Sequence, residues 1–162
     1  MFHLYAVQIE EAIMPEPSQL FALANSLALL AWAALIAALL VAPMRERVWT
    51  GTAVLIPALL AIAYVVLIVD GFVEAEGGGF GSIGEVRTLF ASDAGLTAGW
   101  LHYLAFDLFV GTWISREGLN AGLPRLLIIP CLVLTFLFGP AGLLLFYALR
   151  LAVGRRTSEV PA

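Results

Sequence analysis

The sequence predicts an all-α fold, an integral membrane bundle of four transmembrane helices, and three observations carry that prediction. Of the 162 residues 62% are hydrophobic and only 12% charged, where soluble domains carry roughly 25% charged residues. The mean hydropathy is +0.98, too apolar for a chain that must cover itself with polar surface. Finally, the apolar residues gather into four stretches of about the 20 residues that a helix needs to cross a bilayer core.

Residues 1–19 come first. Glu10, Glu11 and Glu16, with Pro15 and Pro17, have neither the basic start nor the short apolar core of a secretory signal. A short interfacial helix is expected at Phe2 to Ile13. Residues 20–153 are read as the four-span domain and 154–162 as a C-terminal tail. Span one covers about 20–42 and stops at Pro43, before the charged hinge Arg45, Glu46, Arg47. Span two covers about 48–69, with Pro57 inside and Asp70 at its end. An acidic, glycine-rich connection follows; Ile83, Val86, Leu89 and Phe90 give it an amphipathic stretch suited to the interface. Span three covers about 94–114 and holds His102 and Asp107. Span four, about 126–150, contains Pro130, Gly139 and Pro140 and exceeds one crossing, so a tilt or a kink at Gly139 and Pro140 is expected.

Four crossings would put both ends on one side. Basic residues in short loops favour the cytoplasm. Arg45, Arg47, Arg116 and Arg125 oppose Arg87, Arg155 and Arg156, with Arg150 at the boundary. That small excess favours both ends outside the cytoplasm.

Several function classes fall away. A formal charge of −4 leaves no basic stripe for nucleic acid. One cysteine, Cys131, permits neither an internal disulfide nor a Cys-cluster zinc site, and two histidines are too few for a His-rich one. No metal is expected, with one His and carboxylates left as the conceivable ligand set. Gly79, Gly81 and Gly84 spell GxGxxG, but among Glu74, Glu76 and Glu85 they read as a flexible loop rather than a phosphate cradle. Gly95 and Gly99 form GxxxG, which suits close helix packing within the chain first and a homodimer second. Glu117 and Arg125 read as solvated anchors framing the loop after span three.

Span three carries the chemistry. Asp at the centre of a membrane helix costs roughly 2.5 to 3.5 kcal/mol on insertion scales, so Asp107 calls for a function. On a helical wheel His102, Tyr103, Phe106, Asp107, Phe109, Val110 and Trp113 share one arc, and Leu101, Leu104, Ala105 and Leu108 the opposite one. The leucines are expected against lipid and the polar, aromatic arc inside the bundle. Tyr103 and Asp107, four apart, would touch, whereas His102 and Asp107, five apart, would bracket a pocket. Such a pocket suits a long apolar substrate with one reactive polar group. Asp107, His102 and Tyr103 are the candidate catalytic residues. Phe106, Phe109, Val110 and Trp113 are the candidate walls, with Arg116 capping the mouth and Pro140 bending span four around the site. The alternatives are a non-catalytic scaffold that holds pigment or an enzyme partner, and a small proton-coupled carrier.

The run Trp100-Leu101-His102-Tyr103-Leu104-Ala105-Phe106-Asp107-Leu108-Phe109 resembles the W-x-H-x-L-A-x-D-L-F signature of the ABA4-like family. Phe90-Ala91-Ser92, Glu117-Gly118, the stretch from Thr135 to Gly142, and Ala42-Pro43 also match that pattern. Thr112 departs from it, standing where members often have a basic residue. In the plant relatives the resemblance implies conversion of an epoxy carotenoid, violaxanthin, to the allenic neoxanthin. That reaction is redox-neutral: a base takes a vinylic proton while an acid protonates the opening epoxide oxygen, so the resemblance implies no cofactor. On this resemblance Asp107 would be the base and His102 or Tyr103 the acid. The ligand would be a carotenoid or another isoprenoid, the surroundings membrane lipid, and a further partner a carotenoid enzyme; the Arg-only, Ala/Gly/Leu-rich composition points to a bacterial inner membrane.

Overall fold

The computed structural model describes residues 16–158, with side chains as far as residue 153; the expected helix at Phe2 to Ile13 lies outside the described residues. All elements are helical: α1 (Pro17–Leu40), a 3-10 turn (Ala42–Met44), α2 (Arg45–Thr50), a π-helical turn (Gly51–Leu55), α3 (Ile56–Glu74), α4 (Ile83–Leu89), α5 (Asp93–Asn120), α6 (Arg125–Phe138) and α7 (Pro140–Ser158). Two helical stretches, Pro17–Leu40 and the run Ala42–Glu74, are long and apolar enough to cross a membrane.

Local chemistry explains the boundaries. Pro17 opens α1, where its missing N–H costs nothing. The last carbonyls of α1 would be orphaned, and Arg45 satisfies two of them, donating Nε to Ala38 at 2.9 Å and an Nη to Leu39 at 3.0 Å. Pro57 cannot donate to the carbonyl four residues before it, and the helix widens there into the π turn, with the Ile56 amide bonding Gly51. Ser82 caps α4 by accepting from the Glu85 amide at 3.2 Å, and Glu85 reaches back to the Gly81 amide at 2.9 Å. This capping box fills the GxGxxG loop with a carboxylate of its own.

α5 is the central helix. It runs parallel to α1, with Phe21 against Trp100 and Trp32 against Gly111. Against the α2–α3 run it is antiparallel, with Trp49 Nε1 donating to Ser115 at 3.1 Å and Tyr64 packed on His102. Gly71 and Gly95 let the α3 and α5 backbones touch: a Cβ at Gly71 would lie 2.8 Å from the Gly95 Cα. Gly99 faces the Phe90 ring, so both glycines of the GxxxG pair pack within the chain. Thr112 is fully buried, its Oγ1 2.8 Å from that of Thr52 in the π turn.

The C-terminal part departs from the expected single kinked span. At Gly139 (φ 46°) the chain reverses, and α7 folds back on α6. Gly142 packs onto Cys131 and Thr135 so closely that a Cβ would collide with their backbones. Phe146 and Ile128 meet at Gly118, and Arg150 pairs with Glu117 at 3.7 Å. α6 therefore descends along α5 and α7 returns to the end from which α6 started. The start of α1 and the end of α7 lie at opposite ends of the molecule, not at the same one.

Candidate functional site

The hairpin tip meets Asp107. Gly139 is buried, and a Cβ there would lie 3.0 and 3.1 Å from the two carboxylate oxygens. Two constraints thus call for glycine at one position: a left-handed backbone, which side chains disfavour, and a carboxylate in the space a side chain would take. Asp107 Oδ2 is buried without a hydrogen-bond partner. Among the described residues the one ion pair is Arg150–Glu117, so no counter-charge reaches Asp107.

Tyr103 stands one turn before Asp107 on α5. Its hydroxyl donates to the Phe136 carbonyl at 3.0 Å. That carbonyl needs a donor because the residue four further on is Pro140, which has no N–H. The same hydroxyl lies beside the Asp107 carboxylate, as their four-residue spacing leads one to expect, with its one proton directed at the Phe136 carbonyl. Tyr103 also stacks on Trp100 at 5.3 Å, and the Trp100 indole donates to Asn25 of α1 at 2.9 Å. The signature residues Trp100, Tyr103 and Asp107 thereby tie α1, α5 and the hairpin together.

His102 is elsewhere. It is exposed, stacked on Phe106 at 4.6 Å and packed against Tyr64 of α3 at 5.7 Å. The expected orientation of α5 holds only in part: Tyr103, Asp107, Val110 and Trp113 meet protein, but Leu101, Leu104, Ala105 and Leu108 are buried too, and Phe106 and Phe109 are 60% and 51% exposed. The leucines meet α1 and α3 because α5 has neighbours on that side, and the two phenylalanine rings take the outer surface. Among the described residues His102 and Asp107 do not line a common cavity. The cavity on the His102 side is an apolar groove of about 370 Å³ between α3 and α5, lined by Ala53, Pro57, Ala61, Ala105, Phe106 and Phe109 among others.

The remaining candidates are dispersed. Val110 is partly buried against the core. Trp113 packs edge-on to Phe146 and beside Tyr147, at 5.4 and 6.0 Å. Arg116 lies over the Trp49 ring at 5.4 Å, a cation–π contact two and a half turns from Asp107, so it does not cap a mouth there. Pro140 is the exposed first residue of α7 at the hairpin tip. Thr112, five residues after Asp107, points to the π turn, so a basic residue at this position would be aimed away from the carboxylate. Sequence reasoning missed Gly139 as a wall of the Asp107 site; its neighbour Pro140 and the small Gly142 were the available signals.

No curated protein and no solved structure matches the chain. The pattern of the ABA4-like family, described as ABA DEFICIENT 4-like, matches residues 19–146. That match takes in nearly all of α1, the α2–α3 run, all of α5, the hairpin turn and the first part of α7, and the chain belongs to the ABA4-like family.

Proposed function

We propose that the chain is a multi-pass membrane protein that carries out a redox-neutral isomerisation of a carotenoid-like isoprenoid, with Asp107 as the group that moves the proton. One observation carries the reading: a carboxylate oxygen buried beside the hairpin tip with neither a donor nor a counter-charge. Burying such a group costs several kcal/mol unless something partners it. A substrate C–H or O–H brought to the site would supply that partner. In the epoxide-to-allene conversion the carboxylate takes the vinylic proton, the epoxide C–O bond opens, and its oxygen is protonated. Electrons balance within the substrate.

Tyr103 is the better acid in this scheme. It lies on the same stretch of α5 as Asp107, whereas His102 faces the α3 groove. The hydroxyl would exchange the Phe136 carbonyl for the substrate oxygen. The experiment is pigment analysis by liquid chromatography and mass spectrometry in a carotenoid-producing host, comparing deletion, wild type and Asp107→Asn at matched protein levels. An isobaric carotenoid that depends on Asp107 is expected; three identical profiles would remove isomerisation of that host's carotenoids.

The apolar groove favours a second reading, a protein that holds pigment. Its alanine floor and two phenylalanines would take an isoprenoid chain independently of Asp107. In that case Phe106→Ala with Phe109→Ala would lower co-purifying pigment and Asp107→Asn would not.

A further inference from the structure

The reversal at Gly139 changes the arithmetic of sidedness. The chain has eight arginines and no lysine. With α7 returning to the end where α5 finishes, every arginine except Arg87 belongs to that end, Arg155 and Arg156 following on the last turns of α7. Counted as four simple crossings, the same residues divide almost evenly. The opposite end carries Asp70, Glu74, Glu76, Glu85 and Asp93. α6, at 14 residues, is about 21 Å long at 1.5 Å per residue, short of the roughly 30 Å hydrocarbon core. One face of it, with Ile128, Cys131, Leu132 and Thr135, packs on α5 and α7, the other face is apolar and exposed, and the chain at its tip is non-helical only at Gly139, buried against Asp107. Non-helical backbone at membrane depth is tolerated in such a protein-covered place.

We infer that the molecule crosses the membrane three times, by α1, the α2–α3 run and α5, and re-enters once with the α6–α7 hairpin, its arginine end at the cytoplasmic leaflet and its acidic end at the other face. The physical cause is the retention of basic residues on the cytoplasmic side, where anionic headgroups also attract them. This inference rests on the membrane reading above but not on the isomerase chemistry. The hairpin then delivers Gly139 to Asp107 from the cytoplasmic side, and the start of α1 lies outside while the end of α7 lies inside.

Single cysteines test it. In a Cys131→Ala background, Glu76→Cys, Asn120→Cys and Ser158→Cys are labelled with a membrane-impermeant maleimide in spheroplasts and in inside-out vesicles of a bacterial host. Glu76→Cys is expected to react in spheroplasts, and Asn120→Cys and Ser158→Cys only in inside-out vesicles. Reaction of Ser158→Cys on the same side as Glu76→Cys would overturn re-entry, because α6 and α7 would then complete a crossing. The reverse pattern for all three would overturn the orientation. Recovery of the protein in the soluble fraction, with all three reactive, would instead remove the membrane reading itself, while the pigment profile judges the chemistry separately.

Discussion

The α1–α3–α5 core and the α6–α7 hairpin are closed by different means. In the core, helices approach mainly through side chains of graded size: Trp32 enters the space left by Gly111, and Leu35, Leu101 and Leu108 fill the rest, with one backbone contact where Gly71 meets Gly95. In the hairpin the closest contact is Gly142 on Cys131 and Thr135, with Phe146 and Ile128 packed beside it at Gly118 and Tyr103 satisfying the one carbonyl that Pro140 leaves free. The fit of the hairpin depends on glycine at its turn and at Gly142, and the unpartnered carboxylate sits at its tip.

The largest effect should come from the side chain shared by both regions. Trp32 is 3% exposed and touches Gly111 and Phe136, so Trp32→Ala should cost about 3 to 5 kcal/mol. Thermal unfolding in detergent measures it, and a loss under about 1 kcal/mol would mean that core and hairpin are not coupled there. Gly142→Val should cost about 3 kcal/mol by forcing α6 and α7 apart, with Cys131, buried in the wild type, becoming reactive to maleimide. If Cys131 stays protected, the two helices do not depend on that contact.

Gly139→Ala should be milder, about 1 to 3 kcal/mol, because it strains a single left-handed residue. It should still lower product formation, since the new methyl group presses on the Asp107 carboxylate and shifts it. Full activity in this variant would separate the turn from the site. The smallest change is Tyr103→Phe, which leaves the Phe136 carbonyl without a donor at a cost of about 1 kcal/mol. Product loss well beyond what that instability explains would assign Tyr103 to proton transfer, and full retention would leave it a positioning residue.

Much of the helical outline was legible in the sequence, since apolar runs bounded by Pro43, Asp70 and the Arg116–Arg125 loop require no tertiary information. The direction faced by α5 was not. A helical wheel sorts Leu101, Leu104 and Leu108 from Phe106 and Phe109 correctly, but it does not say which set meets protein. In lipid both sets are tolerated, so the usual inside-outside rule loses its force. Asp107 and Tyr103 were singled out because an intramembrane carboxylate is costly whatever surrounds it. His102 was grouped with them on shared arc and polarity, and α3 draws it away through Tyr64. The reversal at Gly139 depends on Gly142 fitting against Cys131 and Thr135. That contact joins residues seven and eleven apart, spacings that a single continuous helix also places on one face, so the pattern does not distinguish a hairpin from one long span.

The account stands on Asp107 performing chemistry rather than packing, and the most direct measurement reads both properties from the same preparation. Purified wild type and Asp107→Asn are compared for melting temperature and for conversion of the carotenoid identified in the host. Chemistry predicts an unchanged or raised melting temperature, because a buried charge without a partner has been removed, together with loss of product. A melting temperature that falls while product per folded molecule stays constant would contradict it and make Asp107 a structural residue of the hairpin.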